Sequence, residues 1–138
     1  MHRFLTALVA LFCLLLANPA LAREAQPGLF ISPGEAWAFK VVNGQPAEAR
    51  KLSPDDKLAK GEIVASFSED GSMLRVRNSG DVSFNYQAFI SRNPEDKGKR
   101  TSVCTLIPNV AMMESWPGGL PGLRLTNFSD AGEGMICA

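Results

Sequence analysis

The chain has 138 residues, with 14 Lys and Arg against 14 Asp and Glu and a single His. That length suits one ordinary domain, and the balanced charge gives no electrostatic case for binding nucleic acid or anionic lipid.

Residues 1–22 have the form of a cleavable export signal. His2 and Arg3 make a short basic start, Phe4 to Leu16 is apolar except for Thr6, and Ala20-Leu21-Ala22 is a small-x-small cleavage pattern. The run is shorter than the about 20 residues a spanning helix needs. Phe12 precedes Cys13 where lipid attachment needs a small residue. The expectation is therefore an exported protein, periplasmic or secreted, with residues 23–138 as its one domain and no membrane span. Losing Arg3 leaves 13 basic against 14 acidic residues. Losing Cys13 leaves only Cys104 and Cys137 of the three cysteines. In an oxidising compartment these are expected to pair. Closing a loop of about 33 residues stabilises a fold by roughly 3–4 kcal/mol on a chain-entropy model.

Taken in order, Leu29 to Ile31 suits a short strand ended by Pro33-Gly34. Ala36 to Val42 alternates, with Trp37, Phe39 and Val41 on one face and Ala38 and Lys40 on the other. Asn43-Gly44 is a tight-turn pair. Gln45 to Gly61 is polar, carries Pro46 and Pro54, and reads as a long loop with room for a short helix at Ser53-Pro54-Asp55-Asp56. Glu62 to Phe67 and Ser72 to Arg77 alternate on either side of Glu69-Asp70-Gly71, which predicts a hairpin. Val82 to Arg92 places Val82, Phe84, Tyr86, Ala88 and Ile90 on one face. Asn93 to Arg100 is charged and reads as a loop. Ser102 to Ile107, apolar on both faces, suits a central strand. Leu123 to Phe128 and Gly134 to Ala138 complete seven or eight short strands.

Strands at such spacing, with turn residues between them, predict an all-β antiparallel sandwich. Trp37, Phe39, Phe84, Tyr86, Ile90 and Leu125 are the expected core. The run I-S-P-G-E-A-W-A-F-K-V, followed by L-R-V-R-N-S-G-D-V-S-F-N-Y-Q-A-F-I, resembles the strand pairs of bacterial immunoglobulin-like domains. The likeness covers about half of residues 23–138. It implies an immunoglobulin-like fold and no definite function. A Cys104–Cys137 pair departs from the antibody-type disulfide, which joins an early strand to the penultimate one.

The chemistry is narrowed mostly by what is missing. With His2 in the signal, no His remains, which excludes Ser-His-Asp and Cys-His catalysis and the usual zinc sites. There is no phosphate loop. The adjacent carboxylates Asp55-Asp56, Glu69-Asp70 and Glu95-Asp96 all fall in turns, where such residues set backbone geometry. Met112, Met113 and Met135 could in principle hold Cu(I), but core packing suits them better without a His or M-x-x-M spacing. Arg92, Lys97, Lys99 and Arg100 read as a solvated basic loop. Asn127-Phe128-Ser129 matches a glycosylation pattern that carries little meaning in a bacterial protein. No cofactor is expected and no metal site.

Glu114 to Gly122 is the stretch with most recognition character. Its prolines and glycines interrupt regular pairing, and it presents Trp116, Pro117 and Leu120. Trp116 either contacts a partner or folds under as a lid on the open end of the sandwich. The expected function is a non-catalytic binding or structural module of the bacterial cell envelope, with an unknown envelope protein or ligand as partner. A small carboxylate-based periplasmic hydrolase and a Met-based Cu(I) carrier are the alternatives.

Overall fold

The computed structural model describes residues 23–138, so the expected signal segment lies outside the described residues. Nine strands form two antiparallel sheets, and no helix occurs among the described residues. In chain order they are β1 (Leu29–Ile31), β2 (Ala36–Val42), β3 (Gln45–Lys51), β4 (Ile63–Phe67), β5 (Met73–Asn78), β6 (Phe84–Ile90), β7 (Lys99–Thr101), β8 (Ala111–Ser115) and β9 (Leu123–Asp130). One sheet has the order β1-β9-β6-β7 and the other β3-β2-β4-β5-β8.

The strongest alternations build the middle of this sandwich. In β4, Ile63, Ala65 and Phe67 are buried; in β5, Leu74 and Val76 are buried while Met73, Arg75 and Arg77 face outward. The two pair in unbroken register from Ile63↔Asn78 to Phe67↔Leu74. Between the sheets Phe128 is the centre of an aromatic group. Its ring meets Phe39 at 5.5 Å and Phe84 at 6.2 Å edge-on, and stacks on Tyr86 at 5.3 Å. Phe39, Tyr86 and Leu125 are buried as expected. Trp37, Phe84 and Ile90 are only half-buried and pack against the margin of the core. The Trp37 case has a plain cause. Its indole N–H donates to Glu35 Oε2 at 2.9 Å, and that carboxylate also accepts the Ser32 amide and meets Lys51, so the ring must stay near the sheet's end.

Four expectations need correction. Gln45–Lys51 is a strand, β3, not a loop. Asn43 (φ 51) and Gly44 (φ 77) supply the left-handed pair that a tight hairpin turn requires, and backbone pairing with β2 follows without an apolar pattern. Lys99–Thr101, expected within a loop, is β7 on the flank of β6. Ala111–Ser115 is a strand, β8, so Glu114 and Ser115, expected in the Pro-Gly loop, instead pair with Leu74 and Met73 of β5. Ser102 to Ile107 and Gly134 to Ala138 are not regular strands. They meet through the isolated bridge Cys104↔Cys137, and Leu106 bridges back to Phe84.

Cys104 and Cys137 form the disulfide, 33 residues apart in sequence. Val103 and Ala138 exchange both backbone hydrogen bonds, at 3.1 and 3.0 Å, and the Thr105 amide donates to Ile136 at 2.9 Å. The final residues are thus strapped to the end of the β6 sheet by backbone and sulfur together.

Candidate functional site

The features that stand apart from fold maintenance gather on one flank of the five-stranded sheet, along β8. This strand pairs with β5 from Met73↔Ser115 to Arg77↔Ala111 with no register shift. Its other edge pairs with no strand among the described residues. The Trp116 amide donates to the Ser72 carbonyl at 2.8 Å. Because bonded and non-bonded residues alternate in an antiparallel pair, Glu114 and Met112 bond toward β5, and the backbone groups of Ala111, Met113 and Ser115 turn to the open edge.

Their side chains lie on the outer face. Met113 is 56% exposed and Met73, one row away, 38%. Arg75 lies beside Met113 and Arg77 beside Ala111. Neither arginine meets a carboxylate within salt-bridge distance among the described residues. Met112 points the opposite way and packs against the core. Glu114, the single charge in β8, accepts the Cys104 amide at 2.8 Å instead of facing solvent along the edge.

The Trp-Pro-Gly loop continues from this strand. Trp116 is half-buried, packs against the core and donates its indole N–H to Thr101 Oγ1 at 2.7 Å. The Leu120 amide donates to the Gly71 carbonyl at 2.8 Å. A Cβ on Gly71 would stand 2.3 Å from the Leu120 carbonyl oxygen, and Gly71 has φ +69. The loop is therefore laid directly on the β4–β5 turn, with Pro117 exposed and Leu120 half-buried. It forms one end of the β8 flank.

One member of each acidic pair is used locally. Asp56 accepts the Ser53 amide at 2.6 Å. Asp70 accepts from the Ser72 and Ser68 hydroxyls and the Ser72 amide, and those bonds hold its carboxyl below the usual carboxylate range. Asp96 accepts the amides of Arg92 and Gly98 and pairs with the Arg92 side chain, with the same consequence. Met112 and Met113 face opposite sides of one strand and cannot share a ligand there, while Met135 sits on the exposed C-terminal segment. Among the described residues no cluster of three His, Cys, Asp or Glu side chains could hold a metal.

On the other sheet the basic loop divides, with Arg92 paired to Asp96 and Lys99 and Arg100 taken into β7. Arg124, in β9, forms the row Phe30↔Arg124↔Phe89↔Arg100 across four strands. Its guanidinium lies 4.5 Å over the Phe89 ring and donates to the carbonyls of Pro27 and Lys97. It ties the 93–98 loop to Pro27, just ahead of β1. A cavity of about 160 Å³ lies where this sheet meets the strapped C-terminal segment, lined by Asn85, Gln87, Arg100, Thr105, Ile136 and Ala138.

Of this flank, Trp116, Pro117 and Leu120 stand out in the sequence as contact candidates and Met113 only as a core or Cu(I) residue, while Met73, Arg75, Arg77 and Ala111 do not stand out. A usable signal was present: A-M-M-E-S is a run free of Pro and Gly, bounded by Pro108-Asn109 and Pro117. Comparison of the chain with family models, curated proteins and solved structures gives no match.

Proposed function

We propose that this protein is an exported, non-catalytic binding module of the cell envelope that takes up a partner along β8. The observation that carries the reading is the contrast between the four edges of the two sheets. Exposed edges template unwanted pairing, so folded proteins blunt them with charge, proline, bulges or brevity. β1 and β7 have three residues each, and β7 carries Lys99 and Arg100. β3 contains Pro46, a register shift against β2, and Glu48 at φ 51 paired with Lys40 at 3.4 Å. β8 has none of these devices, and its one charge is turned away. An edge left open beside exposed Met73 and Met113 is suited to receiving a strand.

A sandwich of this kind is read as immunoglobulin-like, supported by the Pro33-Gly34-Glu35 and Asn78-Ser79-Gly80 turns. The non-catalytic part of the reading is supported by the acidic pairs, since one carboxylate of each, Asp56, Asp70 or Asp96, is engaged in its own turn. A photo-crosslinking residue installed at Ser115, and separately at Ser53 on the far loop, tests the proposal in envelope extract. A discrete adduct from the Ser115 position alone is expected, and it should disappear with Met113→Lys. Equal labelling from both positions would refute it.

A further inference from the structure

The outer face next to the open edge also specifies what kind of strand would bind there. Resting on the β8 reading above, we infer that the partner is an extended segment that alternates apolar residues with an acidic one, added antiparallel to β8 with its carboxylate reaching Arg77. An incoming strand lies about 4.8 Å from β8 and hence about 10 Å from β5. Each of its outward residues faces one row of this sheet.

The rows differ. Opposite Ala111 the row continues to Arg77, and a methyl side chain leaves the guanidinium free to extend over it toward the new strand. Opposite Met113 the exposed thioether covers the row, with Arg75 behind it, so an apolar residue fits. Opposite Ser115 the small hydroxyl side chain leaves Met73 within reach, again favouring an apolar residue. Arg75 and Arg77 lack ion-pair partners among the described residues, so a carboxylate arriving at the Ala111 row meets a cation that is not already neutralised. In antiparallel order this makes the segment apolar-x-apolar-x-acidic. A second copy of the chain satisfies this pattern poorly. Antiparallel self-pairing of β8 centred on Met113 sets Ala111 against Ser115 and gives Arg77 no anion.

The probe is the capped peptide Thr-Val-Thr-Val-Thr-Glu-Thr, labelled for fluorescence anisotropy, with a control in which Lys replaces Glu. The wild-type full chain at low salt should bind the Glu peptide about tenfold more tightly than the Lys peptide, because rim charge selects partners by complementarity. Arg77→Glu should invert that preference. Met113→Lys should abolish binding of both peptides while leaving the melting curve in place. The charge swap on the peptide needs no variant, so a poorly folding mutant would not spare the idea. Equal affinity for the two peptides, or none for either, overturns it. So does a wild-type dimer in sedimentation that Met113→Lys dissolves, since that hands the edge to a second copy. If crosslinking from Ser115 persists while the Glu peptide fails, the partner chemistry is wrong and the binding-module reading stands.

Discussion

Phe128 shows how much one side chain can carry in a sandwich of this size. It is 5% exposed and touches Phe39 of β2 and Phe84 and Tyr86 of β6, so two strands, one from each sheet, converge on its ring. Aromatic pairs add about 0.5–1.5 kcal/mol beyond their burial. Phe128→Ala should therefore cost about 3–5 kcal/mol, measured by urea unfolding. A loss below about 1 kcal/mol would mean that the two sheets do not meet on this ring. Phe84, only half-buried at the margin, should cost less than Phe128 when truncated. The difference lies in position, since both are aromatic residues of well-formed strands.

At the scale of elements, two long segments are held by arginine. Arg50 donates to both oxygens of Glu62, at 2.9 and 3.3 Å, and to the Lys57 carbonyl at 2.8 Å. Glu62, 5% exposed, also accepts the Ala59 amide, so the pair folds the 52–62 connection onto the sheet. Arg124 does the same for the 93–98 loop from the other sheet. A lysine there would keep charge but lose the planar fork and the stacking on Phe89. Arg124→Lys should lower stability by about 1–3 kcal/mol, with increased amide exchange in residues 93–98 before any global change. Unchanged exchange in that loop would show that it stays in place without the arginine.

For the whole molecule, acid should be the sensitive direction. The Arg50 hydrogen bond, then the Ala59 amide, hold the Glu62 carboxyl below its usual range, and Asp70 and Asp96 are lowered by their own bonds. A carboxylate whose folded pKa is depressed adds stability that is complete above its unfolded value, near pH 4. That stability is lost as pH falls through the lower folded value. The described residues include no His, so the melting temperature should be flat from about pH 6 to 8 and fall below about pH 4. Glu62→Gln should lower the plateau and make the acid descent shallower. A midpoint near pH 6 would contradict this assignment. The disulfide acts on the whole molecule as well, because the 33-residue loop it closes contains β8 and β9. Cys137→Ser should cost about 3 kcal/mol, and two thiols should become alkylatable on reduction of the wild type.

The sequence alone determined those parts that depend on neighbours along the chain. Strict alternation marked β4, β5 and β6 with the correct inward faces, except that Val82 lies exposed ahead of β6. Asn43-Gly44 marked a tight turn, and two cysteines beyond the expected signal allowed a single pairing. Tertiary structure decided the rest. β3, β7 and β8 are all edge strands, and an edge forms through backbone bonds to one neighbour, which leave no required side-chain pattern. For the same reason Ser102 to Ile107, apolar enough for a central strand, is drawn aside to meet the C-terminal segment. The candidate surface belongs to this second group. Met73 and Met113 are 40 residues apart in sequence, and only the pairing of β5 with β8 makes them neighbours beside Arg75 and Arg77. Whether an edge is open depends on what the remainder of the chain fails to cover, and no local run of residues encodes that.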